Sequence, residues 1–257
     1  MVNQSSHLLL QESPNINLLY FVFFATICSY SFHWYLTGES VIPSPRIEWT
    51  KQFRTIILLL FFIGLIGAAI FFFLLIQFWF WLLFAVVITF LYSAPKIPHP
   101  WFRALRKVAL GKTIFLAMVW TYVTTILPIV LSEQPWRADC TLFVISRFFL
   151  VYAICILFDY RDREDDKTAG IRSLITYLSI KGIYRLFIFS LLVFAAATIM
   201  LIQYGYNGFT IEILLLPGII TAALYNYATH NFSDMLYYFV LDGLMAISAI
   251  IMLVTGI

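Results

Sequence analysis

The sequence predicts an all-α fold, a polytopic transmembrane helical bundle with about eight spans. The first observation is composition, since 62% of the 257 residues are hydrophobic and only 11% are charged. A soluble domain carries about 25% charged residues, so most of this surface must face lipid. The second observation is that the apolar residues form runs of about 20, which is the length of helix that crosses a bilayer. The third is that the charges gather in three loops.

The apolar runs give the spans in order. Only the stretch 55–94 is ambiguous, because it is nearly unbroken and too long for one span at about 1.5 Å per residue. We divide it near Gln77, which precedes an aromatic run of the kind found at membrane interfaces. The predicted spans are 17–37, 55–77, 78–94, 112–131, 140–159, 183–204, 210–228 and 235–256.

The basic residues predict the orientation. Fourteen of the 16 lie in the loops that follow spans one, three and five or in the first turn of the next span. Arg137 lies in a loop on the opposite side, and Arg147 lies within span five. Loops on the cytoplasmic side carry an excess of Lys and Arg, so we expect these three loops to be cytoplasmic and both termini to be outside. No linker or repeat divides the chain, which predicts a single transmembrane domain over residues 1–257.

An acidic cluster follows span five, in the segment FDYRDREDDKTAGIRSL from Phe158 to Leu174. If the helix continues past the membrane boundary, spacings of three and seven place Asp159, Asp162 and Asp166 on one face. Carboxylates on one stripe repel each other unless a cation joins them, and Mg²⁺ typically takes one or two carboxylates together with phosphate oxygens. A cation site on this stripe is therefore one interpretation of the pattern.

An ordinary solvated loop is the alternative interpretation of this cluster. Its acids would then pair with the neighbouring basic residues Arg161, Arg163 and Lys167. Asp159 argues against a purely solvated loop, because a carboxylate at the end of an apolar span is costly.

The same segment resembles the second Asp-rich motif of the UbiA-type intramembrane prenyltransferases. That motif reads Asp-x-x-Asp-x-x-x-Asp and is followed by Gly-Ile-Lys/Arg and Ser/Thr. A second segment, 91–96, is similar to the Tyr-x-x-Pro stretch that ends a span in that family. The matching positions are Asp159, Asp162, Asp166, Gly170, Ile171, Arg172 and Ser173 in the first segment, and Tyr92 and Pro95 in the second.

The resemblance implies an activity. Family members use Mg²⁺ bound by Asp-rich motifs to transfer a prenyl group from a prenyl diphosphate to a lipophilic or aromatic acceptor. It implies that Asp159, Asp162 and Asp166 are metal-binding and catalytic. The expected partners are these two substrates and the lipid bilayer, with no nucleic acid. The residues expected to bind the substrate are Tyr92, Lys96, Arg103, Arg106, Lys107 and Arg172.

The chain departs from the family pattern at the first Asp-rich motif. That motif should end an early span, but the corresponding segment 30–37 contains no carboxylate, and we interpret its His33 as a packing or hydrogen-bonding residue. The family usually has nine spans. Because the first Asp-rich motif is absent, the main alternative is a non-catalytic relative that binds isoprenoid lipid or a partner protein. A cation transporter fits less well, because the carboxylates lie at a loop and not at mid-membrane.

Two charges lie inside spans, Arg147 in span five and Asp242 in span eight. Counted from the charged ends of their spans, their depths differ by about 6 Å. We therefore expect them to form a buried ion pair, whose role would be structural.

Overall fold

The computed structural model describes residues 1–37, 45–94, 97, 112–168 and 173–256. Within these ranges all the regular structure is helical. The α-helices are α1 (Val2–Ser5), α2 (Ile16–Thr37), α3 (Pro45–Gln52), α4 (Arg54–Leu74), α5 (Trp79–Ser93), α6 (Lys112–Thr121), α7 (Leu127–Leu131), α8 (Ala138–Arg161), α9 (Arg163–Thr168), α10 (Leu174–Tyr177), α11 (Ile180–Met200), α12 (Gly208–Ala228) and α13 (Asp242–Thr255). Short 3₁₀-helices cover Ile76–Phe78 and Leu201–Tyr204, and π-helices cover Ser6–Leu10, Tyr122–Ile126 and Met235–Leu241.

Eight helical segments in the described residues are long and apolar enough to cross a membrane, which confirms the predicted fold class. The division of the long apolar stretch also agrees with the prediction. There α4 ends at Leu74, and α5 begins at Trp79 after the 3₁₀-helix. We number the spans one to eight: Ile16–Leu36, Arg54–Leu74, Ile76–Ser93, Thr113–Leu131, Ala138–Arg161, Ile180–Tyr204, Gly208–Ala228 and Met235–Thr255.

Residue contacts divide the chain into two compact units. The first comprises Met1–Ser13 and Val108–Ile257, and the second comprises Pro14–Lys107. The single domain expected from the sequence stays a prediction.

The second unit is held together by close packing of α2 on α4. A Cβ atom at Gly64 would lie only 2.6 Å from the backbone nitrogen of Cys28, so glycine is needed for the two backbones to approach this closely. Aromatic stacking extends the contact towards the other end of the helices, where the Tyr20 and Phe71 rings are 5.0 Å apart. These contacts fix the register of spans one and two.

Helix α8 is the centre of the first unit. Its segment from Leu150 to Leu157 is buried on every side, in a core to which α11 and the last span also contribute. A helix that is apolar all round is expected to be surrounded by other helices. The acidic cluster therefore follows the most enclosed span of the unit, which gives its first residues a rigid base.

The residues before span one also belong to the first unit. The sequence predicted no element there, but α1 and the following π-helix pack among the later spans. Ser5 donates a hydrogen bond to the Thr124 carbonyl (2.9 Å), and Arg137 donates one to the Leu9 carbonyl (2.6 Å). Arg137 also pairs with Asp139 (2.8 Å), and this hydrogen bond raises the pKa of the guanidinium.

The expected pair between Arg147 and Asp242 is wrong. The described hydrogen-bond partners of the buried Arg147 are the hydroxyls of Ser248 (3.1 Å) and Ser146 (3.4 Å) and the carbonyl of Leu214 (3.3 Å). The reason is depth, because Ser248 lies about 9 Å further along α13 than Asp242. The guanidinium is also flanked by two aromatic rings, with the Phe143 centroid 5.1 Å away.

Candidate active site

The acidic cluster is built on a nearly continuous helical path. Helix α8 ends at Arg161, α9 begins at Arg163, and Asp162 connects them. The amide of Asp162 donates to the Phe158 carbonyl (3.1 Å), and the amide of Asp166 donates to the Asp162 carbonyl (2.9 Å). These are the i to i−4 bonds of an α-helix. The backbone therefore keeps Asp162 and Asp166 one turn apart.

Exposure separates the acidic residues into two sets. Asp159 and Asp166 are buried, and the Asp162 side chain is 36% exposed. Glu164 and Asp165 are exposed. The two end residues of the predicted stripe thus lie on the enclosed side of the helical path, Asp162 between them is partly exposed, and the two acids off the stripe face solvent.

Asp159 is held by the first turn of span four. The Thr113 hydroxyl donates a hydrogen bond to Asp159 Oδ2, and both side chains are buried. A buried carboxylate needs such a donor to offset the loss of hydration. This contact joins α6 to the end of α8 and fixes the first carboxylate of the stripe.

Asp162 is held by Arg161, which the sequence analysis treated only as a loop charge. Arg161 Nε donates to Asp162 Oδ1 (2.8 Å), and Arg161 Nη2 donates to the Tyr238 hydroxyl (2.9 Å). Tyr238 lies in the π-helix that starts span eight, 77 residues later in the chain. No sequence pattern marked this residue, because the contact depends on how span eight packs against α8.

The other basic residues of the segment behave as the solvated-loop alternative predicts. Lys167 donates to Glu164 (2.8 Å), whose side chain is 74% exposed, and this hydrogen bond lowers the pKa of Glu164. Arg163 donates to the carbonyls of Ile175 (3.1 Å) and Leu178 (3.0 Å). Arg163 therefore ties α9 to the following short helix. The solvated-loop interpretation therefore applies to Lys167 and Glu164, and metal ligation by the stripe stays a prediction.

Tyr92 lies in the second unit, near the end of α5. Its ring stacks on the His33 ring, with centroids 5.3 Å apart and planes at 14°. His33 Nδ1 is also 3.4 Å from Ser93 Oγ. The segment where the first Asp-rich motif was expected thus carries a packed imidazole at His33 and no carboxylate. The remaining predicted substrate residues lie outside the described part of the chain: Lys96, Arg103, Arg106, Lys107 and Arg172.

The donor atoms of the stripe suit Mg²⁺ in type, because carboxylate oxygens are hard ligands. In the described ranges, however, no three His, Cys, Asp or Glu side chains are grouped closely enough to hold a metal ion. Mg²⁺ usually binds through one or two carboxylates and completes its shell with water and phosphate oxygens. The stripe therefore fits a metal that arrives with a phosphate-bearing ligand better than one held by protein alone.

Comparison with known proteins gives one match. The model of the UbiA prenyltransferase family matches residues 35–235, which is more than half of the chain and includes both the acidic cluster and the Tyr92 segment. Nothing matches the chain significantly among curated proteins or among solved structures.

Proposed function

Because the chain belongs to the UbiA prenyltransferase family and is an integral membrane protein, we propose that it transfers a prenyl group from a prenyl diphosphate to a lipophilic or aromatic acceptor, with Mg²⁺. The observation that supports this most is the stripe of Asp159, Asp162 and Asp166 at the end of the central helix. Two of its carboxylates are buried and the third is paired with a buried arginine, so the cluster is a built feature and not a loose loop.

Each residue has a separate task in this proposal. Asp162 and Asp166, one turn apart, would hold the metal ion, and Asp159 would fix the start of the stripe through Thr113. When bound, Mg²⁺ would draw negative charge from the diphosphate and so favour cleavage of the allylic C–O bond. Lys96, Arg103, Arg106, Lys107 and Arg172 would add positive charge around the leaving group.

The apolar spans complete the proposed site. A carbocation formed from the prenyl group reacts with water unless water is kept out, and the bundle interior can exclude water while holding the isoprenoid tail. The acceptor would then be the nucleophile that takes the prenyl group, and it loses a proton as the new bond forms.

Binding of prenyl diphosphates of several lengths, with and without Mg²⁺, tests the proposal. We expect removal of Mg²⁺ to weaken binding at least about tenfold, because the diphosphate charge would lose its counter-ion. The measurement is the Kd for each prenyl diphosphate, determined with the purified protein in nanodiscs. The matching prenyl alcohol is the control ligand. Equal affinity for the alcohol and the diphosphate would contradict the proposal.

A non-catalytic relative is the second candidate, and one observation favours it. His33 lies where the family's first Asp-rich motif is expected, and it packs on Tyr92 instead of adding a carboxylate. Such a relative would bind the prenyl diphosphate but give no product with aromatic or lipophilic acceptors. Single-turnover product analysis with radiolabelled prenyl diphosphate separates the two candidates.

The proposed orientation puts the acidic and basic loops in the cytoplasm. In a protein whose three cysteines are replaced, single cysteines at Lys51 and Lys167 should react with an impermeant thiol reagent only from the cytoplasmic side. A cysteine at Asn207 should react only from outside. The reason is the excess of basic residues in the loops after spans one, three and five. Labelling of positions 51 and 167 from opposite sides would contradict the orientation.

A further inference from the structure

Arg161 is an arginine enclosed beside the carboxylate stripe. It is the last residue of α8, and its side chain is only 8% exposed. Three aromatic rings surround the guanidinium, with centroids 5.4 Å (Phe158), 4.6 Å (Tyr237) and 4.9 Å (Tyr238) from its central carbon. The Tyr237 ring is itself fixed, because its hydroxyl donates to the Ala228 carbonyl (2.8 Å). The guanidinium is therefore enclosed by aromatic rings at the end of α8.

The hydrogen bonds of this guanidinium are incomplete. Nε is used by Asp162 and Nη2 by Tyr238. Nη1 is buried and has no hydrogen-bond partner in the described part of the chain, although the Asp234 carboxylate forms a long ion pair with it at 3.9 Å. Buried donors in native proteins are almost always satisfied. An enclosed donor left open next to a predicted ligand site points to an acceptor that the ligand supplies.

Charge also connects Arg161 to the metal. Asp162 is bonded to Arg161, and the same carboxylate is a proposed metal ligand. A guanidinium and a divalent cation are attracted by the same carboxylate charge, so a metal bound to Asp162 would weaken its ion pair with Arg161. The planar fork of Arg matches the oxygens of a phosphate group, which gives the released guanidinium a new partner.

We propose that Arg161 is a diphosphate-binding residue that occupies Asp162 in the ligand-free protein and turns to the diphosphate when metal and substrate bind together. This inference rests on the proposed function. Arg161 would then have two roles. It would neutralise the Asp162 charge when no metal is bound, and it would bind the diphosphate leaving group when the substrate is present. The inference also predicts that metal alone binds less tightly than metal with diphosphate, because metal alone must displace Arg161 without giving it another partner.

The test uses Arg161→Gln in the full chain, with Mn²⁺ as the metal probe and inorganic diphosphate as the anion probe. We expect Arg161→Gln to bind Mn²⁺ alone at least about threefold more tightly than the parent protein does, because the competitor for Asp162 is gone. Electron paramagnetic resonance measures this Mn²⁺ binding. Binding of diphosphate in excess Mg²⁺ should weaken at least about tenfold, because a charge-assisted partner is lost. A purely structural role would weaken both, so the opposite signs are the decisive readout.

Lys167→Gln is the matched control. It removes the same charge from the same segment, but the Lys167 side chain is 37% exposed and pairs with Glu164. Both affinities should stay within about twofold of the parent, as expected for a solvated charge. Arg161→Lys keeps the positive charge but loses the planar guanidinium with its parallel N–H donors. Mn²⁺ affinity should therefore stay near the parent value, while diphosphate binding weakens.

Two results would overturn the inference: both affinities of Arg161→Gln moving in the same direction, or Arg161→Gln behaving like Lys167→Gln. If Arg161→Gln does not fold, Tyr238→Phe replaces it, since this change removes one hydrogen bond and keeps the ring. It should weaken diphosphate binding several-fold, and an unchanged diphosphate affinity in that variant would equally overturn the inference. Failure of the proposed function looks different, because the parent protein would then bind no prenyl diphosphate.

Discussion

Replacement of Asp162 by asparagine is expected to weaken Mg²⁺-dependent binding of a prenyl diphosphate about 100-fold, because it leaves the metal charge undercompensated. Asparagine keeps the size of the side chain and can still accept a hydrogen bond from Arg161. The change therefore removes one negative charge from the stripe with little change of shape. A 100-fold loss corresponds to about 3 kcal/mol of binding free energy.

Asp165→Asn is the matched control for this prediction. Like Asp162→Asn, it removes one negative charge from this helical segment, but Asp165 is exposed and faces away from the stripe. A solvated charge contributes less than about 1 kcal/mol, so binding should weaken about fivefold at most. Titration of both variants with one prenyl diphosphate at fixed Mg²⁺ gives the contrast, and thermal unfolding checks that both are folded. Equal losses in the two variants would contradict the assignment of Asp162 as a metal ligand.

Replacement of Gly64 by leucine is expected to destabilise the packing of spans one and two by about 3 kcal/mol, the cost of overpacking a close contact. A Cβ atom at this position would lie 2.6 Å from the Cys28 nitrogen and 2.9 Å from the Phe24 carbonyl oxygen. Both are backbone atoms, so no side chain can move aside. The two helices must separate for the leucine to fit.

Gly243→Leu provides the control, because nothing lies within 4 Å of a Cβ atom at that helical position. Leucine favours a helix over glycine by up to about 1 kcal/mol, so this variant should be as stable as the parent or slightly more stable. Unfolding by sodium dodecyl sulfate measures stability, and the reaction rate of the native Cys28 thiol reports on helix separation. A Cys28 rate that is unchanged in Gly64→Leu would show that α2 and α4 tolerate the side chain.

The eight spans could be predicted from hydropathy because the bilayer sets one length and forces backbone groups to bond within each helix. The stripe of carboxylates could be predicted for a similar reason, since spacing within one helix fixes which residues share a face. In both cases the information is local in the sequence.

Contacts between distant helices could not be predicted in the same way. The aromatic surroundings of Arg161 include Tyr237 and Tyr238. Their contact with the end of α8 depends on how the last span packs. Depth counted from span ends misplaced the partner of Arg147, because tilt and kinks change how residues of two helices align. The segment 1–13 lacked the length of a span, so hydropathy gave no reason to place it in the bundle.

The position of that segment bears on the order of assembly. The Gln4 side chain donates a hydrogen bond to the Ser248 hydroxyl (3.2 Å), which joins residues 244 positions apart. A ribosome makes the first of these residues long before the second, and contacts so distant in sequence are slow to form. The residues of α1 must therefore remain without this contact until span eight has been made. Insertion of α1 is expected to be among the last steps of folding, completed only after the eighth span has left the translocon.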